Sequence, residues 1–266
     1  MTEPIWKVQE GDGPIVAGAI HDGHALREEI HPLLAIDEQD RLREEDPHTA
    51  GWTEIAPNRV VGLRSRFEVD LNRARHEAVY RTPEDAWGLE VWKSPPPPEL
   101  IERSLAEYDQ FYAAMEQLFR RKAEQHGLFL VLDLHSYNHR RGGPTAPPDD
   151  PQANPEVNVG TGTMDRSRWA PLVDRFLAEL SACTVAGRRL DVRENVKFQG
   201  RGFPRFVHGR FPQEGCALAV EFKKIFMDEW TGRLDEEAHR EIRGALGSTI
   251  PGLLEELAGL GARLRS

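Results

Sequence analysis

The amino-acid sequence predicts an α/β fold in which helices flank one central β-sheet. Three observations support this prediction. Short apolar runs typical of buried strands recur along the chain. A long segment between two of these runs has the apolar spacing of a helix, and further helical segments precede and follow the last run. Strands that alternate with helices build layered α/β domains.

The predicted elements follow one another along the chain. The first strand is the apolar run PIVAGAI at residues 14–20, and residues 59–63 are a weaker strand candidate. Residues 67–71 alternate apolar with acidic side chains, which is typical of a half-exposed strand. Residues 98–126 carry apolar side chains at steps of three to five, and Gly127 follows them, which predicts a long helix. The remaining elements are strands at 128–134 and 217–222 and helices at about 166–182, 235–246 and 250–264.

Two irregular segments interrupt these elements. Residues 94–98 include four consecutive prolines, and residues 142–159 are rich in Gly, Pro, Asp and Asn. Both have the composition of domain boundaries. However, the candidate site residues lie on both sides of each segment, and a shared site requires one domain. We therefore predict a single domain over residues 1–266 and interpret 142–159 as an active-site loop.

Composition and charge exclude several classes of protein. The chain has 266 residues, 34 basic and 44 acidic side chains and a net charge of −10, which argues against a nucleic-acid-binding surface. No apolar run is long enough for a membrane helix, and the first residues lack a secretory signal. Cys183 and Cys216 are too few for a disulfide framework. We therefore expect a cytoplasmic protein without a membrane partner.

Histidines follow two of the predicted strands. His21 comes directly after residues 14–20, and His135 comes after residues 128–134. The carboxyl ends of strands in α/β sheets are where ligands bind. Two imidazoles and one carboxylate commonly hold catalytic zinc, and the acidic run Glu44-Glu45-Asp46 could supply the carboxylate. The alternative is that the histidines are hydrogen-bonding residues at strand ends and that the acidic run is a solvated surface.

The segment from Ser65 to Arg73 predicts an anion-binding strand. On a strand, Arg66, Glu68, Asp70 and Asn72 would share one face. Arg66, Asn72 and Arg73 are donors that can grip a carboxylate. The alternative is an edge strand whose polar face is neutralised by ion pairs.

A single carboxylate, Glu221, interrupts the apolar run at 217–222. Burying an unpaired carboxylate is costly, so Glu221 must be exposed at the strand end, paired, or beside a metal. In the last case it could act as a general base; the alternative is an ion pair in the core. The basic, Gly-rich residues 195–205 suit a mobile loop in which Arg201 and Arg205 contact an anionic substrate. They do not contain the GxxxxGK(S/T) motif of a phosphate-binding loop, so we predict no nucleotide site there.

Taken in order, these residues resemble the N-formylglutamate amidohydrolase family, which is related in fold to the zinc carboxypeptidases. The resemblance spans about residues 14–228. It implies one three-layer domain of the phosphorylase/hydrolase-like type, with a mixed central sheet flanked by helices. The matching strings are His21-Asp22-Gly23, Ser65-Arg66, Asp70-Leu71-Asn72-Arg73, Asp133-Leu134-His135-Ser136, Asn158-Val159-Gly160-Thr161 and Glu221.

The resemblance also implies a zinc ion as the cofactor. His21 and His135 correspond to the two imidazole ligands, and we favour Asp46 as the acidic ligand. Glu45 is the next candidate. A further alternative takes His24 and Glu28 from the loop after the first strand, because zinc carboxypeptidases often draw a His and a Glu from one loop.

The remaining roles are also implied by the resemblance. Asn72 and Arg73 are similar to the Asn-Arg pair that binds the substrate α-carboxylate, which makes Arg66 a candidate to polarise the scissile carbonyl. Glu221 corresponds to the general base. The string Ile20-His21-Asp22-Gly23 departs from the usual Pro-His-Ser-Gly, so the family's substrate specificity does not transfer with it.

The expected function is therefore zinc-dependent hydrolysis of a small N-acyl amino acid such as N-formylglutamate. Two alternatives remain at this stage. One is a carboxypeptidase-like or cell-wall amidase that acts on short peptides. The other is a non-catalytic module that binds carboxylates through the arginines and needs no metal.

Overall fold

The computed structural model describes residues 4–264. Their strands and helices alternate along most of the chain. In order they are β1 (Trp6–Gln9), β2 (Ile15–Ala19), α1 (Glu38–Glu44), β3 (Asn58–Gly62), α2 (Pro98–His126), β4 (Phe129–Tyr137), β5 (Val157–Gly160), α3 (Ala170–Ala182), β6 (Thr184–Val185), β7 (Arg188–Arg189), β8 (Val192–Glu194), α4 (Gly202–Arg210), β9 (Gly215–Lys223) and α5 (Glu236–Gly259).

Seven of the described strands form one mixed sheet in the order β1-β3-β2-β4-β9-β5-β8. The strands β3, β2, β4 and β9 are parallel to one another, whereas β1 is antiparallel to β3 and β5 is antiparallel to β9. The strand β8 runs parallel to β5, and β6 and β7 form a separate hairpin. The predicted α/β fold with a central mixed sheet is confirmed. That the whole chain is one domain stays a prediction.

Side chains of β4 alternate between the two layers that cover the sheet. Leu130 and Leu132 pack with residues of α3 and α5, whereas Phe129 and Val131 pack with residues of α2 and α4. Side chains two residues apart in a strand lie on the same face. His135 therefore belongs to the face covered by α2 and α4, at the carboxyl end of β4.

Most of the predicted elements are present. The strands predicted at 14–20, 59–63, 128–134 and 217–222 correspond to β2, β3, β4 and β9, and the helix predicted at 98–126 has those bounds in α2. The helix predicted at 166–182 is α3, which begins four residues later. Sequence reasoning missed seven elements, all of which have nine residues or fewer: β1, β5, β6, β7, β8, α1 and α4.

The strand predicted at 67–71 is wrong. Residues 65–73 form successive turns, and the side chains of Glu68 and Asp70 are fully buried like their apolar neighbours. Glu68 pairs with Arg27 at 2.9 Å, and Asp70 pairs with Arg66 at 2.8 Å. The alternation of apolar and acidic residues therefore marks a segment buried on both sides, whose charges are paired inside the protein.

The two helices predicted at 235–246 and 250–264 are one continuous helix, α5, with Pro251 inside it. Proline removes a backbone hydrogen bond from a helix interior. Leu246 and Leu253 lie on either side of that point and are both buried in the core shared with α3. Packing of this apolar face offsets the local cost, so the helix continues.

No helix within residues 4–264 is both long enough and apolar enough to cross a membrane.

Candidate active site

Three neighbouring parallel strands bring His21, His135 and Glu221 together at one edge of the sheet. His135 on β4 is the register partner of Glu221 on β9, and both side chains project from the face covered by α2 and α4. His21 follows the end of β2, the neighbour of β4 on its other side. The carboxyl ends of β2, β4 and β9 therefore meet where the fold predicts a ligand site.

A buried cluster of two histidines and one aspartate lies at this edge. One ligand-type atom from each of His21, Asp46 and His135 lies within 4.8 Å of the others, and each residue is about 2% exposed. Asp46 Oδ2 lies 2.8 Å from His135 Nδ1 and 3.6 Å from His21 Nδ1. The centroids of the two imidazole rings are 4.8 Å apart. The sequence prediction that these side chains converge is therefore met by the geometry.

The donor set of this cluster fits a divalent metal ion. Nδ1 of His21 is buried without a hydrogen-bond partner, and it faces Asp46. The other ring nitrogen of each histidine is backed by a carboxylate: His21 Nε2 lies 2.7 Å from Asp70, and His135 Nε2 lies 3.1 Å from Asp133. Histidines that bind metals usually have such a partner behind them. Two imidazoles and one carboxylate leave a fourth position open, as in catalytic zinc sites.

Charges within the cluster reinforce one another. Burial alone would raise the pKa of Asp46, but the contacts with His135 and His21 outweigh it and hold that pKa far below its usual value. Burial alone would lower the pKa of His135, but the carboxylates of Asp133, Glu221 and Asp46 raise it well above its usual value.

Asp46 is positioned by contacts that begin at the end of α1. Its backbone N–H donates to the carbonyl of His21 at 3.0 Å. The carbonyls of Arg43 and Glu45, in the turn that leads from α1 to Asp46, accept hydrogen bonds from Lys224 Nζ at 2.5 and 2.9 Å. Lys224 is buried, and burial lowers its pKa to about 8. Sequence reasoning missed Lys224 because a lysine that follows a strand is usually a surface residue.

The other acidic candidates lie elsewhere. Glu45 is buried, but its carboxylate contacts His24 at 2.7 Å and Arg41 at 2.9 Å and accepts a hydrogen bond from Ser65. Glu28 is exposed. Of the acidic ligand candidates, Asp46 alone joins the two histidines.

The turns at 65–73 place donors beside the cluster. Arg66 donates through Nη2 to Asp70 at 2.8 Å and through Nε to the hydroxyl of Tyr80 at 3.2 Å. Asn72 Oδ1 accepts the N–H of Phe203 at 2.8 Å, and its Nδ2 lies 3.4 Å from His135 Nε2. Asn72 therefore ties these turns to the start of α4.

The start of α4 requires a glycine at residue 202. Gly202 has φ of +36°, and a Cβ there would lie 1.9 Å from the carbonyl oxygen of Asn72. The loop predicted over 195–205 therefore ends at Gly202, where α4 begins. Arg201 and Arg205, on either side of this glycine, are exposed.

A cavity of about 920 Å³ contains all nine predicted site residues in its wall. Among the described residues, its lining includes seven cationic and four acidic side chains, although the chain as a whole is acidic. Anionic ligands are therefore favoured there. The cationic residues are Arg66, Arg73, Arg141, Lys197, Arg201, Arg205 and Lys224, and the acidic residues are Glu44, Asp46, Glu77 and Glu221.

Glu221 faces this cavity from β9. Burial raises the pKa of its carboxyl group, His135 opposes this shift, and Asp46 and Asp133 add to it, so that the pKa is about 7. A carboxyl group with a pKa near neutrality can both accept and return a proton.

The active-site loop predicted at 142–159 is wrong. None of these residues, all of them described, lines the cavity; Arg141 and Gly162, which flank the segment, do. Residues 157–159 belong to β5, because Asn158 and its neighbours pair with β9. The irregular residues 142–156 therefore lie outside the cavity wall.

The sequence assigns no role to Asn158, and the structure shows which groups its side chain contacts. Asn158 is fully buried, donates to the carbonyl of Phe198 at 2.7 Å, and accepts the N–H groups of Lys197 and Phe198 at 2.8 and 3.3 Å. A Cβ at Gly160 would lie 2.4 Å from the nitrogen of Gly200. The string Asn158-Val159-Gly160 is therefore shaped to hold residues 197–200, which form one cavity wall.

Comparisons with known proteins agree with the family resemblance seen in the sequence. The family model described as N-formylglutamate amidohydrolase matches residues 13–227, which is most of the chain. No curated protein sequence gives a significant match.

Solved structures with a similar fold include a crystal structure of N-formylglutamate amidohydrolase from Ralstonia eutropha JMP134. It is 16% identical, covers 97% of this chain and 99% of its own, and superposes with a TM-score of 0.75. A gene product of Agrobacterium tumefaciens is 15% identical, covers 96% of this chain and 97% of its own, and has a TM-score of 0.70. At this level of identity, these likenesses show the fold.

Proposed function

The chain belongs to the N-formylglutamate amidohydrolase family, and we propose that it hydrolyses an N-acyl amino acid of the N-formylglutamate type. The proposed reaction uses a bound divalent metal ion, and the two imidazoles and one carboxylate favour zinc as that ion. The observation that carries the proposal is the buried group of His21, Asp46 and His135 facing Glu221 in a cationic cavity. A module that only binds carboxylates would not need a buried, unpartnered imidazole nitrogen beside a carboxylate.

The proposed metal ligands are His21 and His135 through Nδ1 and Asp46 through its carboxylate. A divalent ion bound there would lower the pKa of a water molecule and polarise the scissile carbonyl. Asp70 and Asp133 would fix the orientation of the two imidazole rings.

Glu221 is the proposed general base. It takes a proton from the attacking water and returns it to the nitrogen of the leaving amine when the amide bond breaks. Its position across from His135 in the sheet register keeps the carboxylate beside the metal site. The pKa of about 7 suits both halves of this proton transfer.

Arg66 is proposed to stabilise the negative charge that develops on the carbonyl oxygen. Its guanidinium is held by Asp70 and Tyr80, so it does not need to reorganise during the reaction. Asn72 and Arg73 are proposed to bind the substrate carboxylate, with Arg201 and Arg205 at the rim of the cavity. Holding the carboxylate at a fixed distance from the metal site positions the amide bond for attack.

The experiment that tests the proposal replaces Glu221 with glutamine. We expect the variant to bind one equivalent of metal, measured by elemental analysis, but to lose about 10²–10⁴-fold in kcat. The matched control is Glu77→Gln, which also neutralises a carboxylate in the cavity wall but at an exposed position.

The compounds assayed should include N-formyl, N-acetyl and N-succinyl amino acids as well as short peptides. Hydrolysis of peptides alone would replace the proposed substrate class with a carboxypeptidase-like one. Near-wild-type turnover by Glu221→Gln would show that another group is the base. A protein that lacks metal even after incubation with zinc, yet still binds carboxylates, would support the non-catalytic module.

A further inference from the structure

Trp87 lies at the mouth of the cavity and has no place in the proposed reaction so far. It lines the cavity, yet 47% of its surface is exposed to solvent. Most large aromatic side chains of this protein are buried, and an exposed one at a cavity mouth is typical of a ligand contact.

The backbone holds Trp87 in an uncommon conformation. Its φ of +57° lies in the left-handed region, which a bulky residue adopts only when the surroundings enforce it. The short helix Pro83–Ala86 enforces it from one side, through a capping box between Thr82 and Asp85. The N–H of Gly88 closes the turn on the carbonyl of Pro83 at 2.7 Å. This strained turn therefore fixes the position of the indole ring.

The ring of Trp87 lies over Arg66, the proposed oxyanion-stabilising residue, and over Arg73, a proposed carboxylate-binding residue. Its centroid is 4.8 Å from Cζ of Arg66 and 5.9 Å from Cζ of Arg73. Tyr80 packs against it edge to face at 6.0 Å. Both guanidinium groups are thus within reach of a cation–π interaction with the same indole ring.

We propose that Trp87 is a specificity-determining residue that shields the contact between Arg73 and a substrate carboxylate from water. Excluding water from one side of an ion pair lowers the local dielectric constant and strengthens the attraction. The indole face also offers an apolar surface to the carbon atoms beside the carboxylate. The preferred ligand is therefore an anion with an apolar flank, such as an N-acyl amino acid, rather than a small inorganic anion.

This inference rests on the proposed function only in taking Arg73 as a carboxylate-binding residue. Arg66 is held by hydrogen bonds to Asp70 and Tyr80 that do not involve the indole. The ring of Trp87 contacts Arg66 and Arg73 and not the cluster of His21, Asp46 and His135. Its loss should therefore weaken substrate binding and leave the chemical step nearly intact.

The kinetic test compares Trp87→Ala and Trp87→Phe with the wild type on the substrate that is turned over best. Trp87→Ala should raise KM about 10-fold with kcat changed less than about 3-fold, and Trp87→Phe should lie between. Added sodium chloride should raise KM more in Trp87→Ala than in the wild type, because the unshielded ion pair is screened by salt. The matched control is Trp230→Ala, which removes a ring lying 4.0 Å from Arg43 and outside the cavity wall.

A binding test keeps the inference separate from the proposed function. Tryptophan fluorescence is titrated with L-glutamate in the wild type and in Trp87→Phe, and only the wild type should show a change attributable to Trp87. If the wild type hydrolyses no N-acyl amino acid, the proposed function fails while this titration still decides the role of Trp87. The inference is overturned if glutamate leaves wild-type fluorescence unchanged, if it changes both proteins equally, or if Trp87→Ala keeps the KM and the salt response of the wild type.

Discussion

Replacing Asn158 with alanine should loosen one wall of the cavity without unfolding the sheet. The substitution leaves the carbonyl of Phe198 and the N–H groups of Lys197 and Phe198 without their partner. Each unpaired buried group costs about 1–3 kcal/mol, and the 3.3 Å bond contributes least. We therefore expect local opening of this wall to become easier by about 3 kcal/mol, which is about 100-fold in the opening constant.

Amide hydrogen exchange measures this opening directly. The amides of residues 195–200 should exchange about 100-fold faster in Asn158→Ala, while those of β4 keep their protection. KM should also rise, because Lys197 and Phe198 line the cavity. The matched control is Asn58→Ala, since Asn58 is also fully buried and makes three hydrogen bonds to backbone groups, those of Gly11, Gly13 and Ile15.

The comparison of the two variants decides the argument. If Asn58→Ala accelerates exchange at 195–200 as much as Asn158→Ala does, the effect is a general loss of stability. If Asn158→Ala changes exchange there less than about 3-fold, the three hydrogen bonds do not hold the wall and the reasoning is refuted.

Two further predictions concern buried basic groups. Lys224→Met should weaken metal binding about 10–100-fold in competition with a chromophoric chelator, because the turn that carries Asp46 loses both hydrogen bonds from Nζ; an unchanged affinity would show that the turn holds itself. Burial lowers the pKa of His208 from 6.5 to about 4, so between these values the unfolded chain binds more protons than the folded one. The stability that neutral His208 contributes is complete above pH 6.5 and should fall by about 2–3 kcal/mol between pH 7 and pH 4.5, measured by urea unfolding. His208→Gln should lack this part of the pH dependence, and the exposed-site control His76→Gln should retain it.

Apolar periodicity predicted the strands and helices that pack on the two faces of the sheet, because the spacing of their apolar residues alone indicates which side of each element is buried. The helix at 98–126 is an example: its buried face includes Phe111, Met115 and Phe119 at steps of four. The same reasoning failed at 67–71, where burial depends on charges far away in the chain. Arg27 pairs with Glu68 across 41 residues, and no local pattern indicates that contact.

The site was predictable in part for the same reason. His21, His135 and Glu221 stand at or near the ends of apolar runs, so the sheet alone brings them together. Asp46 was chosen among several acidic neighbours through a family resemblance, because the turn that separates it from Glu45 depends on Lys224, 178 positions later in the sequence. The role of Asn158 is not predictable from the sequence, since its three partners are all backbone groups, which every residue has.

Asp70 links the proposed metal ligand His21 to the proposed substrate-binding residues of the turns at 65–73. Its Oδ1 lies 2.7 Å from His21 Nε2 and accepts the N–H of Asn72 at 2.7 Å, while its Oδ2 accepts hydrogen bonds from Arg66 and Tyr80. Burial alone would raise the pKa of Asp70, but Arg66 and His21 hold it well below its usual value, so the carboxylate stays charged. One buried anion thus orients an imidazole on one side and a guanidinium on the other. Asn72 follows two residues later, so a shift of this turn would displace the imidazole of His21 and the proposed carboxylate-binding residues together.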